Sequence, residues 1–218
     1  MTAPAVGGVL RPSTSTAPCE HVSDMPDELA IDRALRAEAD ELLDGRGLRA
    51  LLARHGTVHV TGSYALELMA WRDLDVYVES PEVSLGEFFT LGGEIAALLS
   101  PVRMQFLDNR GGGLDGLPSG LYWGARLGEL LQGAWKIDVW AVRPETCAEL
   151  IAYCDGIAAR LTPRARRAIL RIKSHCWRDP AYRKGFTSQD IYRAVLDYGV
   201  SDAEGFAAFL ARAEDSTP

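Results

Sequence analysis

Apolar residues recur at helical spacing from Asp27 to about His55, where Leu29, Ala30, Leu35, Leu42, Leu43, Leu48, Leu51 and Leu52 alternate with Glu, Asp and Arg. Gly45 and Gly47 predict a break into two pieces, and Gly56 ends the segment. The period then shortens. Val58-His59-Val60 predicts a short strand, Gly62-Ser63 a turn, Tyr64 to Ala70 a short helix, and Asp73 to Glu79 an alternating strand that Pro81 breaks. Leu85 to Leu99 is predicted helical, with Phe88, Leu91, Ile95 and Leu98 on one side, and Val102 to Leu107 is a second alternating strand. The glycine-dense stretch from Gly111 to Gly128 predicts a long loop or hairpin, and Trp135 to Val142 a third clear strand closed by Pro144.

From there the pattern is helical to the end. Glu145 to Leu161 forms one predicted helix. Thr162-Pro163, a capping residue before a proline at the first helical position, opens another that runs to about Arg178. Thr187 or Ser188 starts a helix through Tyr198, and Ser201 with Glu204 carries the capping-box signature for the last. No internal repeat is apparent. Strands with interleaved helices followed by helices alone predict an α/β (α+β) chain with a small mixed sheet, divided near Arg143 into residues 27–143 and a helical domain over 144–213. Residues 1–26, rich in Ala, Pro, Ser, Thr and Gly, read as a disordered leader, and 214–218 as a disordered tail.

The 218 residues suffice to bury a real core. A net charge of -7 argues against general affinity for DNA or anionic membranes, which depends on neutralising many phosphates. No apolar run approaches the ~20 residues of a membrane span, and the leader lacks the basic start and apolar stretch of a signal peptide. A reducing cytoplasm is the expected location. Cys19, Cys147, Cys154 and Cys176 match no zinc or redox spacing and read as ordinary thiols.

The chemistry concentrates in three places. On a strand, residues two apart share a face, so Asp73, Asp75 and Tyr77 point one way while Leu74, Val76 and Val78 point to the core. Asp138 repeats the arrangement: with Lys136 and Trp140 it faces away from Ile137 and Val139. If the two strands are neighbours, three carboxylates converge. Such a cluster repels itself, and a pair of divalent cations about 3.5–4 Å apart makes it favourable. Hard oxygen donors suit Mg²⁺ or Mn²⁺. Separated from Asp73 by the nine residues Tyr64 to Arg72, Gly62-Ser63 joins a strand to a helix, where free N–H groups, a close backbone approach and the Ser63 hydroxyl suit a phosphate.

Val60-Thr61-Gly62-Ser63, Arg72-Asp73-Leu74-Asp75-Val76 and Lys136-Ile137-Asp138-Val139 together resemble the signature of the DNA-polymerase-β-like nucleotidyltransferase superfamily. The resemblance covers roughly residues 55 to 143 and departs from it at Thr61, where many members carry a hydrophobic residue. It implies that residues 27–143 are a nucleotidyltransferase catalytic domain in which Asp73 and Asp75 hold both metals and Asp138 holds the catalytic one. By the same likeness Asp138 takes the acceptor's proton, and Gly62 and Ser63 hold the β- and γ-phosphates. The implied reaction moves a nucleoside monophosphate from a nucleoside triphosphate, ATP first among candidates, to an acceptor hydroxyl with release of pyrophosphate. The short, acidic chain without an RNA-binding module favours a small-molecule acceptor, as in the antibiotic-adenylylating members. The alternatives are a protein- or RNA-modifying enzyme and a non-catalytic, antitoxin-like module that binds nucleotide or a partner.

Other features admit two readings each. Lys136 touches the nucleotide or pairs with a carboxylate. Arg164, Arg167, Arg171 and Arg178 lie opposite the stripe Ala165, Ile169, Ile172 and Cys176, and either meet the triphosphate or an anionic acceptor or form a solvated face. The glycine loop with Arg110, Tyr122, Trp123 and Arg126 reads as a flexible surface hairpin before a base-stacking gate. His59 and His175 read as core or surface residues, Trp71 and Trp140 as packing near the site, and Tyr77 as either.

Overall fold

The computed structural model describes residues 27–82, 84–114 and 116–214. The expected leader with Cys19, and the tail past Glu214, lie outside the described residues.

Five strands form one mixed sheet: β1 (Thr57–Val60), β2 (Asp73–Glu79), β3 (Arg103–Asp108), β4 (Gly120–Arg126) and β5 (Lys136–Val142), in the spatial order β1-β2-β5-β4-β3. Only β2 and β5 run parallel. β1 is antiparallel to β2, and β4 is antiparallel to both β5 and β3. Alternation gives the sheet two chemically different faces. Leu74, Val76, Val78, Ile137 and Val139 enter a buried core with Leu121 and Ala125 of β4. The first helices cover that face: α1 (Glu28–Asp40), a π-helical turn at Glu41–Gly45, α2 (Leu48–Leu52) and the long α4 (Leu85–Leu99). α4 starts at a complete capping box between Ser84 and Glu87, and inserts Phe88, Leu91, Ile95 and Leu99.

Between β1 and β2 lies α3, which spans only Gly62–Ala65. The helix expected over Tyr64 to Ala70 is corrected in both position and length. The chain has to deliver Leu66 and Leu68 to one core and Met69 to another, and a continuing helix cannot do so. Side chains replace the lost helical hydrogen bonds. Buried Asp32 accepts from the Met69 N–H at 2.8 Å, Arg166 donates to the Leu66 and Glu67 carbonyls, and Lys173 donates to the Leu68 carbonyl at 2.7 Å.

Of its two expected forms, the glycine-dense stretch takes the hairpin: β3 and β4 pair antiparallel across residues 109–119. Residues 120–126 are not a loop; they are β4, a central strand between β3 and β5. Glycine is required there for close approach, since a Cβ on Gly120 would stand 2.4 Å from the Ala141 carbonyl oxygen. Trp123 is a packing residue, stacked on Phe88 and donating its ring N–H to the Phe88 carbonyl at 2.8 Å.

α5 (Pro144–Ala158), α6 (Pro163–Cys176), α7 (Ser188–Tyr198) and α8 (Ala203–Glu214) follow. Thr162 and Thr187 cap α6 and α7 as expected. At α8 the capping carboxylate is Asp202, which accepts from the Gly205 N–H, in place of Ser201. A second core joins Ile169, Ile172, Ile191 and Phe206 of these helices to Leu66, Leu68 and Trp71 beside β2. The helices are thus packed directly against the start of β2. No helix among the described residues is long and apolar enough to cross a membrane.

Candidate active site

The polar face of the sheet carries the expected carboxylates. In the parallel register of β2 and β5, Asp75 is the partner of Asp138 and Asp73 is the partner of Lys136. One carboxylate oxygen from each of Asp73, Asp75 and Asp138 lies within 4.8 Å of the other two. Lys136 donates to Asp73 Oδ1 at 2.9 Å and also to Asp138, so of its two readings the structure shows carboxylate pairing. One ammonium cannot neutralise three carboxylates.

Electrostatics follows from this geometry. Burial, reinforced by the charge of Asp73, pushes Asp75 up to about 7. Burial raises Asp138 as well, against the pull of Lys136. Burial works to lower the Lys136 ammonium, but the charges of Asp73, Asp138 and Asp75 outweigh it and hold it above the usual lysine range. Three hard oxygen donors that are costly to ionise together form a donor set suited to Mg²⁺ or Mn²⁺. These residues fit the metal the sequence implies.

β4 adds a residue read as surface. Tyr122 donates its phenolic O–H to Asp138 Oδ1 at 2.8 Å. Gly124 leaves room for it, because a Cβ at Gly124 would stand 2.2 Å from the Tyr122 hydroxyl oxygen. Burial and the Asp138 charge hold the phenol above the usual tyrosine range, which keeps it a donor.

Gly62 serves two purposes. Its φ of 60° belongs to the left-handed region, and a Cβ there would stand 2.3 Å from Asp75 Oδ2. The Thr61 N–H also donates to the Asp75 carbonyl at 2.9 Å, which fixes the turn against β2. The Gly62-Ser63 turn and the carboxylates therefore share a wall.

Lys173 on α6 was not singled out by the sequence reading. It is 1% exposed, and its ammonium donates to Ser63 Oγ at 2.6 Å, to the Leu68 carbonyl and to the Tyr192 hydroxyl at 3.4 Å. None of these partners is charged. Burial holds this ammonium below the usual lysine range and pushes Tyr192 up to about 12. Its signal in the sequence was a lysine four residues from Ile169, inside the apolar stripe of the helix.

The arginines of α6 stand elsewhere. Arg164 and Lys173 are nine residues apart, which at about 100° per residue puts them on opposite sides of the helix. Arg164, Arg167 and Arg171 line a groove of about 380 Å³ with Ser201, away from the carboxylates, and Arg178 stacks on Trp177. Trp71 stacks on Trp177 beside β2, and Trp140 packs against Tyr122.

A scan against protein-family models and a search of curated proteins return no match. Among solved structures, the chain is similar to one described as a cytoplasmic RNA terminal U-transferase, at 15% identity and a TM-score of 0.49 over 78% of this chain and 54% of that one. It is also similar to a structure of the GLD-2/RNP-8 complex, at 11% identity and a TM-score of 0.41 over 80% of this chain and 59% of that one. The chain thus spans little more than half the length of either.

Proposed function

We propose that this chain is a metal-dependent nucleotidyltransferase. The observation that carries the reading is the meeting of Asp73, Asp75 and Asp138 beside a turn, Gly62-Ser63, that a buried cation already holds. Asp73, Asp75 and Asp138 would hold Mg²⁺ or Mn²⁺, which would supply positive charge to the reacting phosphate and to the departing pyrophosphate. Gly62 and Ser63 bind the β- and γ-phosphates through backbone N–H groups and the Ser63 hydroxyl. Lys173 gives that cradle its positive charge, in a pocket dry enough for one charge to count. Asp138, oriented by Tyr122, takes the proton of the acceptor hydroxyl as the new oxygen–phosphorus bond forms and the bond to pyrophosphate breaks. Lys136 screens the carboxylates until the nucleotide arrives.

In this reading residues 27–143 are the catalytic domain and 144–213 a helical domain that contributes Lys173. ATP is the proposed nucleotide and a small molecule the proposed acceptor, consistent with the net charge of -7. The free thiols of Cys147, Cys154 and Cys176 agree with a reducing cytoplasm as its location. The groove of Arg164, Arg167 and Arg171 favours a second reading, in which an RNA or an acidic protein is the acceptor and docks there. Incubation with Mg²⁺, each α-labelled triphosphate and cell extract separates the two by the mass of the labelled product. Asp75→Ala abolishes labelling in either case. A chain that binds triphosphate and transfers nothing to any fraction is instead a binding module of the same fold.

A further inference from the structure

A second group of ligand-type side chains stands on the same face of the sheet. Antiparallel pairing sets His59 of β1 opposite Tyr77, and Glu79 is two residues further along β2. Cys147, near the start of α5, comes down onto this end of the sheet in a small core with Trp140 and Val142. One ligand atom each from His59, Glu79 and Cys147 lies within 4.8 Å of the other two, with His59 Nε2 2.8 Å from Glu79 Oε2. At about 3.3 Å per residue, Glu79 is roughly 13 Å along the strand from Asp75, so the two clusters are separate.

We infer that His59, Glu79 and Cys147 form a second metal site, for Zn²⁺ or an ion of similar softness, that ties α5 to the β1–β2 edge. An imidazole nitrogen, a carboxylate oxygen and a sulfur are the donors zinc takes, whereas the three aspartates offer only hard oxygen. With ordinary zinc bond lengths, donors in a tetrahedral site stand about 3.3–3.6 Å apart. Reaching that spacing from 4.8 Å or less takes at most about 1.5 Å of relative side-chain movement, and His59 and Glu79 open from 2.8 Å by about half an ångström. Charge also balances. Cys147 releases its proton to solvent as the sulfur–metal bond forms, and thiolate plus carboxylate neutralise a divalent ion. The sulfur end is closed, with Cys147 fully buried, while the His59 and Glu79 side chains are 27% and 31% exposed. That opening admits the ion and leaves a fourth position to water. The donors come from β1, β2 and α5, so no local cysteine spacing announces them.

Cobalt distinguishes this site from the aspartates, because only a sulfur ligand gives a thiolate-to-cobalt charge-transfer band in the near ultraviolet. The full chain, stripped with a chelator, is titrated with Co²⁺ and then Zn²⁺ in excess Mg²⁺. The expected result is a thiolate band from one cobalt per chain, displaced by zinc and accompanied by a rise in melting temperature. Asp73→Asn/Asp75→Asn keeps both signals. Cys147→Ala loses both, and His59→Gln, changed at a partly exposed residue, loses or weakens them even should the cysteine variant fold poorly. Absence of the band in the wild-type chain overturns the assignment. So does a band that survives in Cys147→Ala, which belongs to another of the chain's cysteines, Cys19, Cys154 or Cys176. The half-buried hydrogen bond of His59 and Glu79 is then the whole content of the cluster.

Discussion

The ammonium of Lys173 lies 2.6 Å from the hydroxyl oxygen of Ser63, across 110 residues of chain. This contact joins the helical part of the chain to the turn that precedes the aspartates. It also makes the charge at the Gly62-Ser63 turn depend on how α6 packs. Replacing Lys173 with Met keeps most of the volume and removes the charge. A charge-assisted hydrogen bond is worth about 1.5–3 kcal/mol, so Lys173→Met is expected to weaken triphosphate binding about 10- to 100-fold. Stability changes less, because relief of a buried charge offsets the lost bonds. Calorimetric titration with a non-hydrolysable triphosphate measures the first and thermal melting the second. Equal affinity in the variant contradicts the role.

Asp75 gives a pH dependence whose sign is opposite to that of most carboxylates. Its pKa is raised to about 7 in the folded chain, against about 3.9 when unfolded. Below both values the group is protonated in both states and contributes nothing. Between them the folded state holds the extra proton, so stability falls as pH rises, and the full penalty is present above 7. The metal-free chain is therefore expected to lose a few kcal/mol from this group between about pH 4 and pH 8, and Asp75→Asn to flatten the profile over that window. Mg²⁺ is expected to restore stability above pH 7, where the carboxylate is free to bind it. Urea unfolding across pH with and without Mg²⁺ reads all three.

Gly62→Ala puts a methyl group 2.3 Å from Asp75 Oδ2 on a left-handed backbone. The expected cost is about 1–3 kcal/mol with loss of activity. Asp75→Ala removes the clashing carboxylate, so the double variant should be more stable than the sum of the single changes predicts. Additive effects would show that the glycine answers only to its backbone angle.

Tyr122→Phe removes one hydrogen bond to Asp138 and leaves the ring in place. Metal affinity and turnover are expected to fall about 3- to 30-fold, with stability within about 1 kcal/mol of the wild type. Gly124→Ala, which crowds the same hydroxyl, should reproduce the loss. An unchanged rate in both variants removes Tyr122 from the site.

How much of the fold the sequence makes legible follows the range of the contacts involved. β2 and β5 were legible because one face of each meets a core and the other carries charge, and the alternation records both. The register that makes Asp75 and Asp138 partners was conditional on the strands being neighbours, and only the sheet supplied that. The hairpin of β3 and β4 was legible in the glycines, but the central place of β4 in the sheet was not, because Gly120 and Gly124 have the composition of a turn while they answer to crowding by the β5 backbone and the Tyr122 hydroxyl. The short α3 was overextended because its residues favour helix and two competing cores stop it. Lys173 was passed over because a lysine in an apolar stripe looks like an interruption until its partner from β1's end is known.

Triphosphate binding that requires metal tests the central claim without knowledge of the acceptor. The wild-type chain and Asp75→Ala are titrated with each nucleoside triphosphate, with Mg²⁺ and after chelation. The wild type is expected to bind at least one triphosphate and to gain stability only when Mg²⁺ is present, and Asp75→Ala to lose that gain. Absence of triphosphate binding, together with no metal-dependent stabilisation that Asp75→Ala abolishes, contradicts the reading of Asp73, Asp75 and Asp138 as the metal site of a nucleotidyltransferase.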